Sequence, residues 1–272
     1  MQDVEIVPAR AAAGRNPVIG TWAEINDYAP VLKWLLVNIV LAIGLFVLWA
    51  FGLIQQVLAT DRTHVSSIIA TIFVLTALHC LYQTWTTSRD LISARRVRDE
   101  VERSDAVPVL LPDGRVMVDG HELEPGVISA YIGNLLRKAS LGSGAFDQTI
   151  LLRSLADRLR AREKLGLFVS EGLLRLALLG TAIGFILMLI PLSGLAAFDA
   201  ETLRGALTGM TSGMAIALNV TVAGIGSALV LKFEYYLLDT AIAELFEIIT
   251  EATEVGVIPR IGKPKDERRK PV

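Results

Sequence analysis

Apolar residues dominate four stretches of the chain, at about 31–56, 66–87, 173–194 and 205–231, and the segments between them are polar or mixed. Roughly 20 such residues carry a helix through the hydrocarbon core of a bilayer. The pattern therefore predicts four membrane-spanning helices. Span one, "LKWLLVNIVLAIGLFVLWAFGLI", has Trp34 and Trp49 near its ends, where aromatic belts sit, and Asn38 as its one strongly polar interior residue. Span two, "SSIIATIFVLTALHCLYQTW", holds Thr71, Thr76, His79 and Cys80. His79 lies near the end of its span and reads as a neutral structural residue, and Cys80 reads as packing.

The polar segments show their own periodicities. After Thr86, "TTSRDLISARRVRDEVERS" carries mixed charges at helical spacing, which predicts that span two continues as a solvated helix. "VPVLLPDGRVMVDGHELEPG" then places two short β-branched runs around Pro112-Asp113-Gly114, the pattern of a small hairpin. "GVISAYIGNLLRKA" reads as a short amphipathic helix that "LGSG" at 141–144 breaks. Asp147 can cap the next helix, which runs without proline into span three and predicts one helix from about Asp147 to Ile190. Span four runs on past Lys232 through "FEYYLLDTAIAELFEIITEATE", and "GKPKDERRKPV" reads as a disordered tail.

Composition agrees with this picture. The 272 residues are 53% hydrophobic, with a mean hydropathy of +0.52. A net charge of −2 argues against a nucleic-acid partner, and a single cysteine excludes an intramolecular disulfide framework. The first 30 residues lack the basic-then-apolar block of a signal peptide, so the first span is expected to be retained. The segment from Arg89 to Lys164 carries thirteen Lys/Arg and that from Lys232 to Lys270 carries seven. The two short loops between spans hold only Arg62 and Arg204. Basic segments stay in the cytoplasm, which predicts both termini inside.

The expected fold is thus an all-α integral membrane protein with four transmembrane helices, long cytoplasmic helical extensions and a small cytoplasmic hairpin insertion. The parts are a cytoplasmic N-terminal segment (1–30), an outer transmembrane hairpin (31–88), a cytoplasmic domain (89–170), a second transmembrane hairpin (171–237), and a C-terminal helix with a basic tail (238–272).

Spans three and four hold the candidate chemistry. "LLRLALLGTAIGFILMLIPLSG" has its one mid-span hydroxyl at Thr181, between Gly180 and Gly184. In span four, Gly205, Gly209, Gly213, Ala217 and Thr221 recur every fourth residue, and Gly224 and Ala228 extend the row. Such a stripe lets helix backbones approach closely. Thr181 lies ten residues from Glu171 and Thr221 eleven from Lys232, so both sit roughly 15 Å into the membrane from the same side. Asn219 and Thr211 add polar atoms. Gly180, Gly184 and Gly224 are expected to leave room beside the threonines, making the wall of a narrow wet passage. Between about 176 and 231 the only charges are Asp199, Glu201 and Arg204, near the loop. Threonine holds water but does not titrate, so a proton relay would need an acid from another chain.

"LLGTAIGF" followed by "ALNVTVAGIGSALV" resembles the paired pore-helix signature of the MotA/TolQ/ExbB ion-channel family, over mainly residues 147–255. Leu178-Leu179-Gly180-Thr181 matches the LLGT-type run, and Ala217, Leu218, Thr221 and Gly224 match the A-L-x-x-T-x-x-G pattern. The resemblance implies a homopentamer around the transmembrane helices of a single-span MotB/TolR/ExbD-like partner. That partner's aspartate would face Thr181 and Thr221, and ion flow, with H⁺ the favoured ion, would drive mechanical work across the envelope of a bacterial inner membrane. Two features depart from the family. Ile216 stands where the TolQ/ExbB branch often has a glutamate, and four spans match MotA rather than ExbB. The residues call for no cofactor, no metal and no enzymatic role. The competing reading is a membrane scaffold or assembly subunit in which the small-residue stripe only packs helices. Span two is expected on a lipid-facing outer ring, where Thr76 would matter little.

Topology is directly measurable. In a cysteine-accessibility scan, Thr63 should be reachable only from outside, and Arg115 and Lys265 only from inside. Periplasmic labelling at Arg115 would refute the four-span arrangement.

Overall fold

The structure is a computed structural model that describes residues 29–52, 54–55, 64–104, 106–141, 147–193 and 200–261. Within these, α1 is Ala29–Ala50, α2 Val65–Arg103, α3 Val127–Leu141, α4 Thr149–Ser193 and α5 Ala200–Glu251. A π-helical turn, Ala252–Val257, and a short α6, Ile258–Ile261, prolong α5. Each of α1, α2, α4 and α5 contains a stretch long and apolar enough to cross a membrane. The limits expected at residues 88, 170 and 237 fall inside continuous helices. The change from apolar to charged composition marks depth along a helix, not an end.

The helix ends follow local chemistry. Asp147 caps α4 as expected: its Oδ1 accepts from the Thr149 N–H at 2.8 Å and from the Thr149 hydroxyl at 2.5 Å. Those two bonds hold the Asp147 carboxyl below its usual range. Pro191 sits inside the last turn of α4. The "LGSG" break, the N-terminal segment, both inter-span loops in large part and the basic tail lie outside the described residues.

The expected hairpin is a three-stranded antiparallel meander of β1 (Val109–Leu110), β2 (Val116–Val118) and β3 (His121–Glu122). Val109 pairs with Met117 and Leu110 with Val116; Met117 pairs with Glu122 and Val118 with His121. The third strand exists because Asp119-Gly120 forms a two-residue turn with φ 52° and 81° at its two positions. Asp-Gly suits such a turn, whose twist matches the flanking strands. Val116 and Val118 point inward and join Ile128, Ile132 and Leu135 of α3 in the core.

Packing is unequal among the long helices. The main contact is the antiparallel α4–α5 hairpin, with α2 laid against α5. By contrast α1 buries only Pro30 and Trp34, and leaves Leu36, Val40, Ile43 and Phe46 exposed. A helix apolar on most sides and covered by protein over so little of its surface is suited to lipid or to a neighbouring chain.

Along the charged extensions, polar contacts hold the helices together. Arg162 of α4 donates to Asp90 of α2 at 2.7 Å and to the Thr87 hydroxyl at 3.0 Å, with the two charged side chains 19% and 16% exposed. The Tyr131 hydroxyl donates to Gln148 Oε1 at 3.0 Å, and the Gln148 amide donates to Glu254 at 2.5 Å. Burial, with Glu254 nearby, pushes the Tyr131 phenol up to about 12. Burial and the Asp239 carboxylate on α5 together raise Glu163 above the usual carboxyl range. The folded form thus holds that proton more tightly than the unfolded chain, so this contribution to stability weakens as pH rises through the folded value.

The Arg162–Asp90 pair makes the sharpest stability test. Arg162→Ala leaves a mostly buried carboxylate without its partner and should cost about 3–5 kcal/mol. Thermal unfolding in detergent should show a clear loss, and Arg162→Met combined with Asp90→Leu should recover most of it.

Candidate functional site

The small residues of α4 and α5 face one another in strict antiparallel order. A Cβ built on Gly209 would meet Pro191 Cγ at 2.6 Å, and one on Gly213 would meet Met188 Cα and N at 2.6 Å. One on Gly184 would meet Ala217 Cβ and N at 2.7 Å, and one on Gly180 would meet Val220 Cγ1 at 2.2 Å. Gly224 takes Ala177 Cβ at 2.5 Å, and lower down the Tyr235 ring lies over Gly166 at 1.9 Å from the same kind of built atom. Contacts of this kind exclude any side chain at the glycines. Close approach of the opposite helix, by backbone at Gly184 and Gly213 and by side chains at Gly180, Gly209 and Gly166, requires them.

This geometry corrects part of the sequence reading. The space a side chain would take at Gly180, Gly184 and Gly224 is filled by Val220, Ala217 and Ala177 of the opposite helix, not left open. They line the seam of the hairpin. Gly209, Gly213 and Ala217 pack within the chain as well, while Gly205 has nothing within 4 Å of its built Cβ. The packing row therefore starts at Gly209.

The threonines stand at the edge of the seam. Gly180 lies opposite Val220, and Thr181 and Thr221 each follow their contact residue by one position. A step of one residue turns ~100° and rises ~1.5 Å. On antiparallel helices that step rotates both side chains toward the same side of the hairpin, with heights differing by only ~3 Å. The matched depth read from the sequence thus becomes a shared face. Both side chains are half-buried in the isolated chain. The Thr181 hydroxyl donates to the Leu178 carbonyl at 2.6 Å and that of Thr221 to Ala217 at 2.9 Å. Each oxygen therefore keeps acceptor capacity for a donor outside its own helix. Asn219 precedes Val220, so it turns to the opposite side from Thr221 and does not share the threonine face. Thr211 is exposed and donates to the Thr208 carbonyl at 2.9 Å.

Thr76 is not on an outer surface. It is 6% exposed, and its carbonyl accepts from the Tyr235 hydroxyl at 3.4 Å. The outer-ring expectation fails at this residue because this face of α2 packs on α5 and not on lipid. Tyr235 also bonds His79 Nδ1 at 2.9 Å, and Gln83 reaches His79 Nε2 at 3.4 Å. That network satisfies the imidazole, in keeping with a structural histidine. Cys80 is fully buried.

One functional group escaped the sequence reading. Glu234 of α5 is completely buried, and its Oε1 accepts from Asn38 Nδ2 of α1 at 3.0 Å. It lies two residues past Lys232, just beyond the end of the apolar run. The signal was Asn38, a lone amide in span one with no stated purpose.

Comparison with known proteins finds no matching family model, no curated relative and no similar solved structure.

The seam predicts a paired mutational outcome. Gly213→Leu drives a side chain into the Met188 backbone and should cost about 1–3 kcal/mol or more, seen as a lowered thermal midpoint and loss of the hairpin's protease resistance. Gly205→Leu meets nothing in the chain and should leave both unchanged.

Proposed function

We propose that this chain is the channel subunit of an energy-transducing motor in a bacterial inner membrane. Its four apolar helices cross the bilayer with both termini in the cytoplasm. Five copies enclose the transmembrane helices of a single-span, MotB/TolR/ExbD-like partner that carries an aspartate. Ion-motive force, with the proton as the coupling ion, is converted into mechanical work across the envelope.

The observation that carries this reading is the common face of Thr181 and Thr221 at nearly one height, on the helix pair with the most extensive packing in the chain. Each hydroxyl gives its proton to its own helix and offers oxygen to what lies in front. A partner's carboxylic acid could donate to such an oxygen when protonated, and a hydrated proton could do so during transfer. Neither threonine can trap the ion, because neither carries charge. The glycine seam supports this role indirectly. By locking α4 to α5 at van der Waals contact, it fixes the spacing of the two hydroxyls to within what packed backbones allow.

The scaffold reading draws on the same seam, since close helix packing alone explains every glycine in it. The two diverge at the threonines. Thr181→Val/Thr221→Val keeps shape and removes both hydroxyls. Partner-dependent ion flux into proteoliposomes should fall to background, while expression stays near normal and native mass spectrometry still reports five copies. Undiminished flux would discard the threonine assignment, and absence of flux in the wild type with its partner would favour the scaffold.

A further inference from the structure

Glu234 sits where α1, α2 and α5 meet. Its Oε1 is held by the Asn38 side chain, which donates both to it at 3.0 Å and to the Trp34 carbonyl at 3.1 Å. Its Oε2 is buried without any hydrogen-bond partner. The indole N–H of Trp34, itself 7% exposed, is also buried and unpartnered, and it faces the same carboxyl. An orphaned acceptor and an orphaned donor therefore share one enclosed site. The surrounding titratable groups are Cys80 of α2 and Tyr235 of α5, the latter bonded to His79 of α2. From α4, Gly166 lies under the Tyr235 ring. Among the described residues, no lysine or arginine is one of the groups that contact Glu234.

A carboxylate enclosed this way, without a cation, is costly, and such a group neutralises itself by taking up a proton. Two stable arrangements are then available. With a proton on Oε2, the carboxyl is neutral and needs no charge partner. Once the proton leaves to water, the ionised oxygen attracts the Trp34 N–H, the unpartnered donor that faces it among the described residues, and draws α1 toward α5. A charge-assisted bond of that kind is roughly twice as strong as a neutral one.

We propose that Glu234 is a reversible proton-binding site within the chain itself, with Asn38 as its fixed hydrogen-bond donor and Trp34 as the donor recruited when the proton leaves. Its protonation state sets how tightly α1 is drawn to the α4–α5 hairpin. Taken with the motor reading, on which only this consequence rests, the chain carries a titratable group of its own in addition to the acid supplied by the partner.

The test needs neither partner nor flux, so its failure is separable from failure of the channel assignment. Full-length protein in lipid nanodiscs is followed by infrared difference spectroscopy as pH is raised from mildly acidic to alkaline. A protonated-carboxyl stretching band should disappear with rising pH, and Glu234→Gln should abolish it. Asn38→Leu should shift the same band to higher frequency, because the carbonyl loses its donor, and this second variant keeps the test open if Glu234→Gln assembles poorly. Glu163→Gln should leave the band in place. A wild-type band that survives Glu234→Gln, or that fails to move in Asn38→Leu, would overturn the proposal.

Discussion

The contact on which the molecule depends is the close approach of α4 and α5 along their glycines. Gly209, Gly213, Gly184, Gly180 and Gly224 each face an atom of the opposite helix at a distance no side chain would permit. In an apolar solvent, burying more leucine yields little, because lipid is as apolar as protein. Dispersion between closely fitted surfaces becomes the main attraction. The seam therefore holds the hairpin together and also sets its register, since sliding by one turn would push glycines out and larger residues in.

Everything of chemical interest is placed by that register. Thr181 and Thr221 reach one face because each follows a seam residue on antiparallel helices. Tyr235 can lie across Gly166 and bind His79 because the seam continues below the apolar run. The same continuation brings Glu234 to Asn38, and so attaches α1, which otherwise buries almost nothing, to the remainder of the chain. Further along, Arg162 with Asp90 and Gln148 with Glu254 tie the extensions through polar contacts, where water makes hydrophobic burial effective again.

Two polar sites thus occur at different depths with opposite design. The threonine pair is half-open, uncharged and aimed outward. The Glu234 site is closed, titratable and aimed inward between helices. A subunit that must hold a partner's acid without competing for its charge would need the first property, and a subunit whose outer helix responds to protons would need the second.

The sequence by itself determined the four apolar helices, their continuation into charged extensions, the Asp147 cap and the equal depth of Thr181 and Thr221. These follow from local rules: apolar run length, helical period, capping chemistry and a fixed rise per residue. Only the tertiary structure decided which side of each helix meets another. It assigned the glycines to a seam and not to open space beside the threonines, sent Asn219 away from Thr221, and turned Thr76 inward. It also paired Asn38 with Glu234 across 196 positions of sequence. In a span that is apolar all round, the hydrophobic pattern carries no information about facing, because every side is compatible with lipid. What fixes the facing is the fit of particular small residues against a particular neighbour, and that fit exists only once both helices are in place.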